Sequence, residues 1–307
     1  MTSSSDGSPG TMPSADELDG TVSWRALFAE TEVLLERSGR SDNPRQEAKW
    51  IVEEVTGVER SEFAAVLDTL ATVRGVAKLD DMVARRSAGE PIQYVLGHWA
   101  FRTLDLLVDR RVLIPRPETE MVAGLAIAEL ARLRPDGGGT VIDLGTGSGA
   151  IGLSMVAETA VGRVLLTDSS SDALAVARAN LAGLGLAGSR VEIAQGSWFD
   201  AVPERFTGEC DVIVSNPPYV CTDDPLPDTV RDWEPESALL AGIDGLDDLT
   251  VILDESRTWL RPGGALVLEM DPRQTSPIVE RAEHLGFAAE VVADHAGLAR
   301  AVIARNP

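Results

Sequence analysis

Basic residues and cysteines are scarce in this chain. Its 307 residues include 27 Lys and Arg against 49 Asp and Glu, which gives a formal net charge of −22. A protein that grips DNA through its phosphates needs a basic face, because its affinity comes mainly from neutralising phosphates and releasing counterions. The composition therefore counts against DNA as a partner. A hydrophobic content of 44% is ordinary for a globular protein, so most of the chain is expected to fold.

The chain has two cysteines, Cys210 and Cys221, and a single disulfide bond cannot stabilise a fold of this size. We therefore expect a reduced, cytoplasmic protein. No apolar run approaches the ~18 residues that span a bilayer. The N-terminus lacks the basic and apolar regions of a secretory signal, and we predict no association with a membrane. His98, His284 and His295 are isolated from one another, and the cysteines have no CxxC spacing, so we predict no metal site.

Composition and periodicity divide the chain into four segments. Residues 1–20 are polar and rich in Ser, Gly and Pro, which predicts a disordered tail because little apolar surface is available for burial. Apolar residues at helical spacing over 21–90 predict a small helical domain, and residues 91–110 predict a linking β-hairpin. Residues 111–307 alternate β-rich runs with helices, which predicts an α/β fold with an open, mostly parallel sheet and helices on both faces.

The α/β pattern can be assigned element by element. The predicted strands are 141–145, 164–168, 191–195, 211–215, 265–270, 288–292 and about 300–304. The predicted helices between them are 149–159, 171–184, 247–260 and 277–286.

A Gly-rich turn follows the first of these strands. Its sequence is Asp143-Leu-Gly145-Thr146-Gly147-Ser148-Gly149, and its glycines allow a tight turn and a close approach to a ligand at a helix N-terminus. Gly147 to Gly152 also match GxGxxG, the dinucleotide fingerprint, which leaves a nicotinamide oxidoreductase open. The acid two residues before the first glycine instead resembles the first motif of class I S-adenosylmethionine methyltransferases. With either cofactor, Asp168 at the end of the next strand would accept hydrogen bonds from a ribose.

Asn216-Pro217-Pro218-Tyr219 follows the fourth strand, at the carboxyl edge where open α/β sheets bind ligands. These residue types suit methyl transfer to a planar –NH2 group. The Asn216 side-chain oxygen and the Pro217 carbonyl can each accept one N–H of that group, which directs its nitrogen lone pair toward the methyl. The prolines stiffen the backbone, and the Tyr219 ring can stack on the planar group and face a cationic sulfonium.

Several motifs in order resemble the release-factor glutamine methyltransferases, the PrmC/HemK family. They include Asn216 to Tyr219, Ile114-Pro-Arg-Pro-Glu-Thr-Glu120, Asp143 to Gly149, Arg85-Arg86, Gly89-Glu90-Pro91, Ser197-Trp198-Phe199 and Glu234-Pro235. The resemblance covers about residues 24–305. It implies a seven-stranded class I methyltransferase fold, S-adenosylmethionine as methyl donor, and N5-methylation of the glutamine in the Gly-Gly-Gln motif of class I peptide chain release factors. We expect the protein to act as a monomer.

The resemblance also implies roles for individual residues. The cofactor-binding residues would be Gly145, Thr146, Gly147, Ser148, Gly149, Asp168, Trp198 and Asn216. The substrate-binding residues would be Asn216, Pro217, Pro218, Tyr219 and Val220, with Asn216, Pro217 and Tyr219 catalytic. Residues 115–119 would shape the cleft, and the N-terminal helical domain would contact the release factor.

Two stretches depart from the family pattern, and one pair of residues stays open. His98-Trp99-Ala100 stands where the family has Glu-Phe, and Met270-Asp271-Pro272 follows Glu269 where a glycine is expected. Arg116 and Glu118 are equally compatible with an interdomain ion pair and with substrate contacts.

Three other functions compete with glutamine methylation. An adenine-N6 nucleic-acid methyltransferase would use the same Asn-Pro-Pro-Tyr chemistry, but the net charge opposes it. A nicotinamide oxidoreductase would leave Asn216 to Tyr219 unexplained, and a non-catalytic module that binds release factors would not need the Gly-rich turn.

Overall fold

Seven strands form one mixed sheet in the computed structural model, which describes residues 19–307. The chain divides into two compact units, one that ends at Leu96 and one that runs from Gly97 to Pro307. Each unit has a hydrophobic core of its own. No helix among residues 19–307 has both the length and the apolar character needed to span a membrane.

The first unit consists of helices and a two-stranded sheet. Its elements are β1 (Asp19–Ser23), α1 (Trp24–Ser38), α2 (Pro44–Thr56), α3 (Phe63–Val66), β2 (Leu70–Thr72), α4 (Val73–Ser87) and α5 (Ile92–Leu96). Side chains of Ser23, Asn43 and Thr72 accept backbone hydrogen bonds at the starts of α1, α2 and α4, which satisfies donors that a helix leaves unpaired. Strands β1 and β2 pair in antiparallel fashion.

A buried ion pair joins α2 to α4 in this unit. Arg86 donates from Nε to Glu47 Oε2 at 2.7 Å and from Nη2 to Glu47 Oε1 at 3.1 Å. The same guanidinium donates to the carbonyls of Arg40 and Glu90, so its charge is well satisfied. Glu47 and Arg86 are both buried, and the apolar core of the same unit includes Phe28, Leu35, Ile51 and Leu79.

The second unit carries the large sheet. Its elements are β3 (His98–Phe101), β4 (Leu104–Leu107), α6 (Pro117–Leu133), β5 (Thr140–Leu144), α7 (Ala150–Glu158), β6 (Arg163–Asp168), α8 (Ser171–Ala182), β7 (Val191–Gln195), β8 (Cys210–Ser215), α9 (Asp228–Arg231), α10 (Asp247–Trp259), β9 (Leu260–Glu269), α11 (Thr275–His284), β10 (Ala288–Ala293) and β11 (Ala299–Arg305). Strands β3 and β4 form a separate antiparallel hairpin.

The sheet order is β7-β6-β5-β8-β9-β11-β10. The first five strands in this order are parallel, and β11 and β10 continue the sheet in antiparallel pairing. Strands buried on both faces read as continuous apolar runs, and Cys210 to Ser215 is buried throughout. Since β5 and β8 are neighbours, the loops that follow them meet at one edge of the sheet.

Most of the predicted elements are present within a few residues of their expected bounds, and the α/β fold is confirmed. Two expected bounds need correction, and some elements were not expected. Residues 92–96 form α5 instead of hairpin, so the hairpin is confined to 98–107. Helix α6 and the β1–β2 pair were not predicted. The predicted disordered tail lies outside the described residues except for 19 and 20, which belong to β1.

Candidate active site

A cavity of about 270 Å³ opens where the parallel strands end. The sequence-predicted residues that line it are Gly145, Thr146, Gly147, Ser148, Asp168, Trp198, Asn216 and Pro218, together with Pro115 and Thr119 of the segment expected to shape the cleft. Gly149 is not part of the lining; it is the N-cap residue of α7, with a φ of 88° that favours glycine. The structure thus brings the ends of β5, β6 and β8 and the residues after β7 to one cavity.

The Asp143 side chain holds the Gly-rich turn in place through two hydrogen bonds. Its Oδ2 accepts a hydrogen bond from Thr146 Oγ1 at 2.7 Å and another from the Gly152 amide at 2.9 Å. The side chain is buried, and burial raises the pKa of Asp143 to about 7 despite these two donors. A Cβ on Gly152 would lie 2.2 Å from Leu166 Cδ2, so α7 can start close to the sheet only with glycine there.

Trp198 forms one wall of the cavity and faces Gly145. A Cβ on Gly145 would lie 3.2 Å from the indole ring, and the φ of +66° at this position also favours glycine. Trp198 itself has a φ of 43°, a strained value for a residue with a bulky side chain. Its Nε1 donates to Asp248 Oδ1 at 3.0 Å, which fixes the plane of the ring.

The charged side chains of the cavity lining are mostly acidic. Asp143, Asp168 and Asp248 line it, whereas its one cationic side chain among the described residues, Arg111, is paired with Asp109. Burial raises the pKa values of Asp168 and Asp248. This lining suits a ligand with hydroxyl groups and positive charge, and it opposes the pyrophosphate of a dinucleotide.

Asp168 is held in place by the backbone. Its Oδ2 accepts from the Gly147 amide at 2.9 Å, and its Oδ1 accepts from the Ser170 amide at 2.9 Å. Each carboxylate oxygen has a second lone pair, so the side chain keeps the capacity to accept from a ribose diol.

Asn216 is held through its amide nitrogen. Nδ2 donates to the Thr119 hydroxyl at 3.2 Å. Neither Asn216 Oδ1 nor the Pro217 carbonyl accepts a hydrogen bond from residues 19–307. Both acceptors that the sequence analysis assigns to a substrate amide are therefore available.

A second cavity of about 190 Å³ shares Asn216 with the first. It is lined by Leu113, Arg116, Asn216, Pro217, Tyr219, Val220, Leu226, Val230, Ala238 and Leu239. Asn216 lines both cavities, whereas Pro217, Tyr219 and Val220 line only the second. A side chain that enters the second cavity would therefore meet Asn216, which also lines the acidic cavity.

Arg116 has a partner within the second unit, and Glu118 has a different neighbour. Arg116 Nη2 donates to Glu234 Oε1 at 2.5 Å, and Glu234 Oε2 accepts from the Ile114 amide at 3.1 Å. Since Glu234 lies in the same unit, this pair is not interdomain. Glu118 acts on the pKa of buried Glu269 through its charge.

The Gln274 side chain ties the tyrosine of the motif to the loop before α10. It follows the Met270-Asp271-Pro272 departure, and its Nε2 donates to the carbonyls of Tyr219, Asp244 and Gly245 at 2.8, 3.2 and 3.1 Å.

Asp248 and Glu269 were not singled out from the sequence as site residues. Asp248 follows another aspartate at the start of a helix, where acidic residues are common, so its position carried little signal. Among the described residues, no group of three or more His, Cys, Asp and Glu side chains is arranged to hold a metal ion.

This sheet order, with a Gly-rich turn after β5 and Asn-Pro-Pro-Tyr after β8, defines a class I methyltransferase. Residues 26–97 match the family model described as PrmC N-terminal domain, and residues 127–231 match the Methyltransferase small domain. A Release factor glutamine methyltransferase from Salmonella typhimurium is 38% identical over 86% of this chain and 93% of that protein. Another, from Deinococcus radiodurans, is 36% identical over 92% of this chain and 98% of that protein.

The chain therefore belongs to the release factor glutamine methyltransferase family. Among solved structures, the hMettl16 catalytic domain shares the fold, with a TM-score of 0.50, 14% sequence identity, and coverage of 77% of this chain and 84% of that one.

Proposed function

We propose that this enzyme transfers the methyl group of S-adenosylmethionine to N5 of the glutamine in the Gly-Gly-Gln motif of class I peptide chain release factors. One observation carries the proposal: Asn216, with its amide oxygen unused, lines both the acid-lined cavity and the second cavity. The relatives named Release factor glutamine methyltransferase, matched over most of their length, support the choice of substrate.

The acid-lined cavity fits S-adenosylmethionine in the chemistry of its donors and acceptors. The Gly145–Gly149 turn would bind close to the cofactor, Asp168 would accept from its ribose, and Trp198 would cover its ring system. When bound, the cofactor supplies an electrophilic methyl on a positively charged sulfonium. The carboxylates that line the cavity favour this charge, and Asn216 lines the same cavity.

On the acceptor side, an amide nitrogen is a weak nucleophile because its lone pair is delocalised. Asn216 Oδ1 and the Pro217 carbonyl would each accept one N–H of the glutamine amide, which directs the lone pair toward the methyl. Pro218 stiffens this turn, Tyr219 would pack on the planar amide, and Val220 would contact the glutamine stem. Positioning of this kind can supply ~7–11 kcal/mol of a barrier. No strong base is needed, because the nitrogen becomes acidic once it is methylated and then releases its proton.

The domain roles follow the sequence prediction. Residues 21–90 would recognise the release factor, 91–110 would link the two domains, and 111–307 would perform the transfer. We place this activity in the cytoplasm, without DNA, membrane or metal, and assign it to a monomer.

The direct test is to incubate a class I release factor with the protein and S-adenosylmethionine, and to map the methylated peptide by mass spectrometry. A single methyl on the Gly-Gly-Gln glutamine is the expected result. An unmodified glutamine despite cofactor binding would refute the proposed substrate, and adenine in nucleic acid would be tested next.

Asn216→Ala tests the division of roles between the two cavities. It removes the acceptor for the substrate amide, so kcat should fall by about 10²–10³. Affinity for S-adenosylmethionine, measured by calorimetry, should change far less. An equal loss of affinity and turnover would show that Asn216 acts mainly on the cofactor.

A further inference from the structure

Glu269 lies at the end of β9, is fully buried, and contacts Tyr219, which lines the second cavity. Its Oε1 accepts from the Tyr219 hydroxyl at 3.3 Å. The Thr119 hydroxyl acts on the same carboxyl and favours its charged form. Its Oε2 is buried and accepts no hydrogen bond of good geometry from the residues described. Burial of a carboxyl group that is not fully hydrogen-bonded lowers the stability of the fold. Glu269 nevertheless lies beside two residues of the site, Tyr219 and Thr119.

The amide of Asn216 has an orientation problem that this carboxyl can solve. One end of an amide accepts hydrogen bonds and the other donates, and the two ends are nearly equal in shape. Only the orientation with Oδ1 toward the substrate serves the transfer. In the structure, Nδ2 donates to Thr119 Oγ1 at 3.2 Å, which leaves Oδ1 for the substrate.

A threonine hydroxyl carries one proton, so it donates in one direction and accepts from the others. An ionised carboxylate only accepts. If the Thr119 proton points to Glu269, the lone pairs of Oγ1 are left for Asn216, and only the Nδ2 end of that amide makes a favourable contact there. The ionised carboxylate therefore orders a chain of donors that runs from Asn216 through Thr119.

We infer that Glu269 and Thr119 are positioning residues, and that together they hold the Asn216 amide with its oxygen toward the substrate nitrogen. This inference rests on the proposed function for the identity of the substrate amide. Tyr219 belongs to the same arrangement, because its hydroxyl donates to the same carboxyl and fixes the ring beside Asn216.

The charge on Glu269 is set by groups from several elements. Glu118 and Thr119 face it from α6, Tyr219 from the loop after β8, and Arg300 from β11. Arg300 also interacts with Asp294, at 3.5 Å from Nε to Oδ2, so its charge is shared. Burial has the largest effect and raises the pKa of Glu269 to about 7.

Protonation of Glu269 would remove the fixed direction of the hydrogen bonds that run from Asn216 through Thr119. The neutral carboxyl can donate to Thr119, the Thr119 proton can then turn toward Asn216, and the amide loses its preferred orientation. Since the charged form is the active one, kcat should rise by about tenfold as the pH increases from about 6 to about 8.

Two matched pairs of variants test the arrangement. Thr119→Val keeps the shape and removes the hydroxyl, so kcat on the release factor should fall by about 10-fold to 100-fold with a smaller change in KM. Thr119→Ser keeps the hydroxyl and should restore most of the turnover. Glu269→Gln should lower kcat at pH 8 and flatten the pH profile, whereas Glu269→Asp should retain a rise with pH. A Thr119→Val enzyme with wild-type kcat, or an unchanged rise in Glu269→Gln, would overturn the inference.

A second measurement needs no release factor. The side-chain amide resonance of Asn216 in a ¹⁵N-labelled protein, identified by its loss in Asn216→Ala, should shift with pH through about 7 in the wild type and not in Glu269→Gln. A resonance that does not move would refute the coupling even if methylation is confirmed. If the resonance titrates but the wild type modifies no release factor, the proposed substrate is wrong and the positioning arrangement stands.

Discussion

The stability of Asp143→Asn relative to the wild type should increase as the pH rises from 4 to 8. One carboxyl oxygen of Asp143 accepts from both Thr146 and Gly152, and an asparagine oxygen can take that place. The asparagine NH2 then replaces the other oxygen at the cavity lining. The substitution removes the buried negative charge of Asp143 and one of its two acceptor oxygens. The charge of Asp168 then no longer repels a charge at position 143.

The magnitude follows from the pKa. Burial raises the pKa of Asp143 from 3.8 to about 7, so the folded state binds this proton more tightly than the unfolded state does. Its contribution to stability is fully present below pH ~4 and is lost as the pH rises through about 7. A difference of about 3 pKa units at ~1.4 kcal/mol each gives up to about 4 kcal/mol. The free energy of unfolding of Asp143→Asn relative to wild type should therefore rise by up to that amount between pH 4 and pH 8.

Urea denaturation of both proteins without cofactor, at several pH values between 4 and 8, measures this difference. The charge on Glu269 is common to both proteins, so its pH dependence cancels. Asp136→Asn, at an exposed position in the same unit, is the matched control and should change the pH dependence by less than about 0.5 kcal/mol. A relative stability of Asp143→Asn that stays constant or falls with pH would refute the account of the buried charge.

Two further substitutions test packing in the two units. Gly152→Ala places a methyl against buried Leu166 and should lower the free energy of unfolding by about 1–3 kcal/mol, measured by urea denaturation. In the control Gly124→Ala, the new methyl meets only the end of one arginine side chain, so this variant should be as stable as the wild type or slightly more stable. Equal effects of the two substitutions would contradict the role of close helix packing. Glu47→Ala leaves the buried Arg86 charge unpaired and should destabilise the first unit by about 3–5 kcal/mol, measured by hydrogen exchange of its core amides. A loss below about 1 kcal/mol would mean that the carbonyl partners of Arg86 suffice.

The sequence alone was enough to predict the sheet and the main site motifs. Strands β5, β6 and β8 are short apolar runs bounded by turn residues, and their periodicity does not depend on distant neighbours. The Gly-rich turn and Asn216 to Tyr219 are contiguous in the chain, so their spacing is visible directly. Helix α6 was missed because proline at 115 and 117 indicates a turn, although proline is well tolerated in the first turn of a helix.

Contacts between residues distant in the chain could not be predicted. The Arg116–Glu234 pair joins residues 118 positions apart, and nothing local distinguished it from an interdomain pair or a substrate contact. The contact of Trp198 with Asp248 likewise depends on how the residues that follow β7 pack against the start of α10. Such pairs are chosen by tertiary packing, because local propensity is the same for many charged positions.

The amino-acid sequence by itself determined which elements form and which chemical groups stand at the carboxyl edge of the sheet. Tertiary structure decided which of those groups touch and how their charges behave. Asp143 and Glu269 are ordinary carboxylates in the sequence, and burial in the folded chain is the largest of the causes that raise the pKa of each to about 7. The physical reason is that hydrogen-bond direction and desolvation depend on surroundings that only the folded chain assembles.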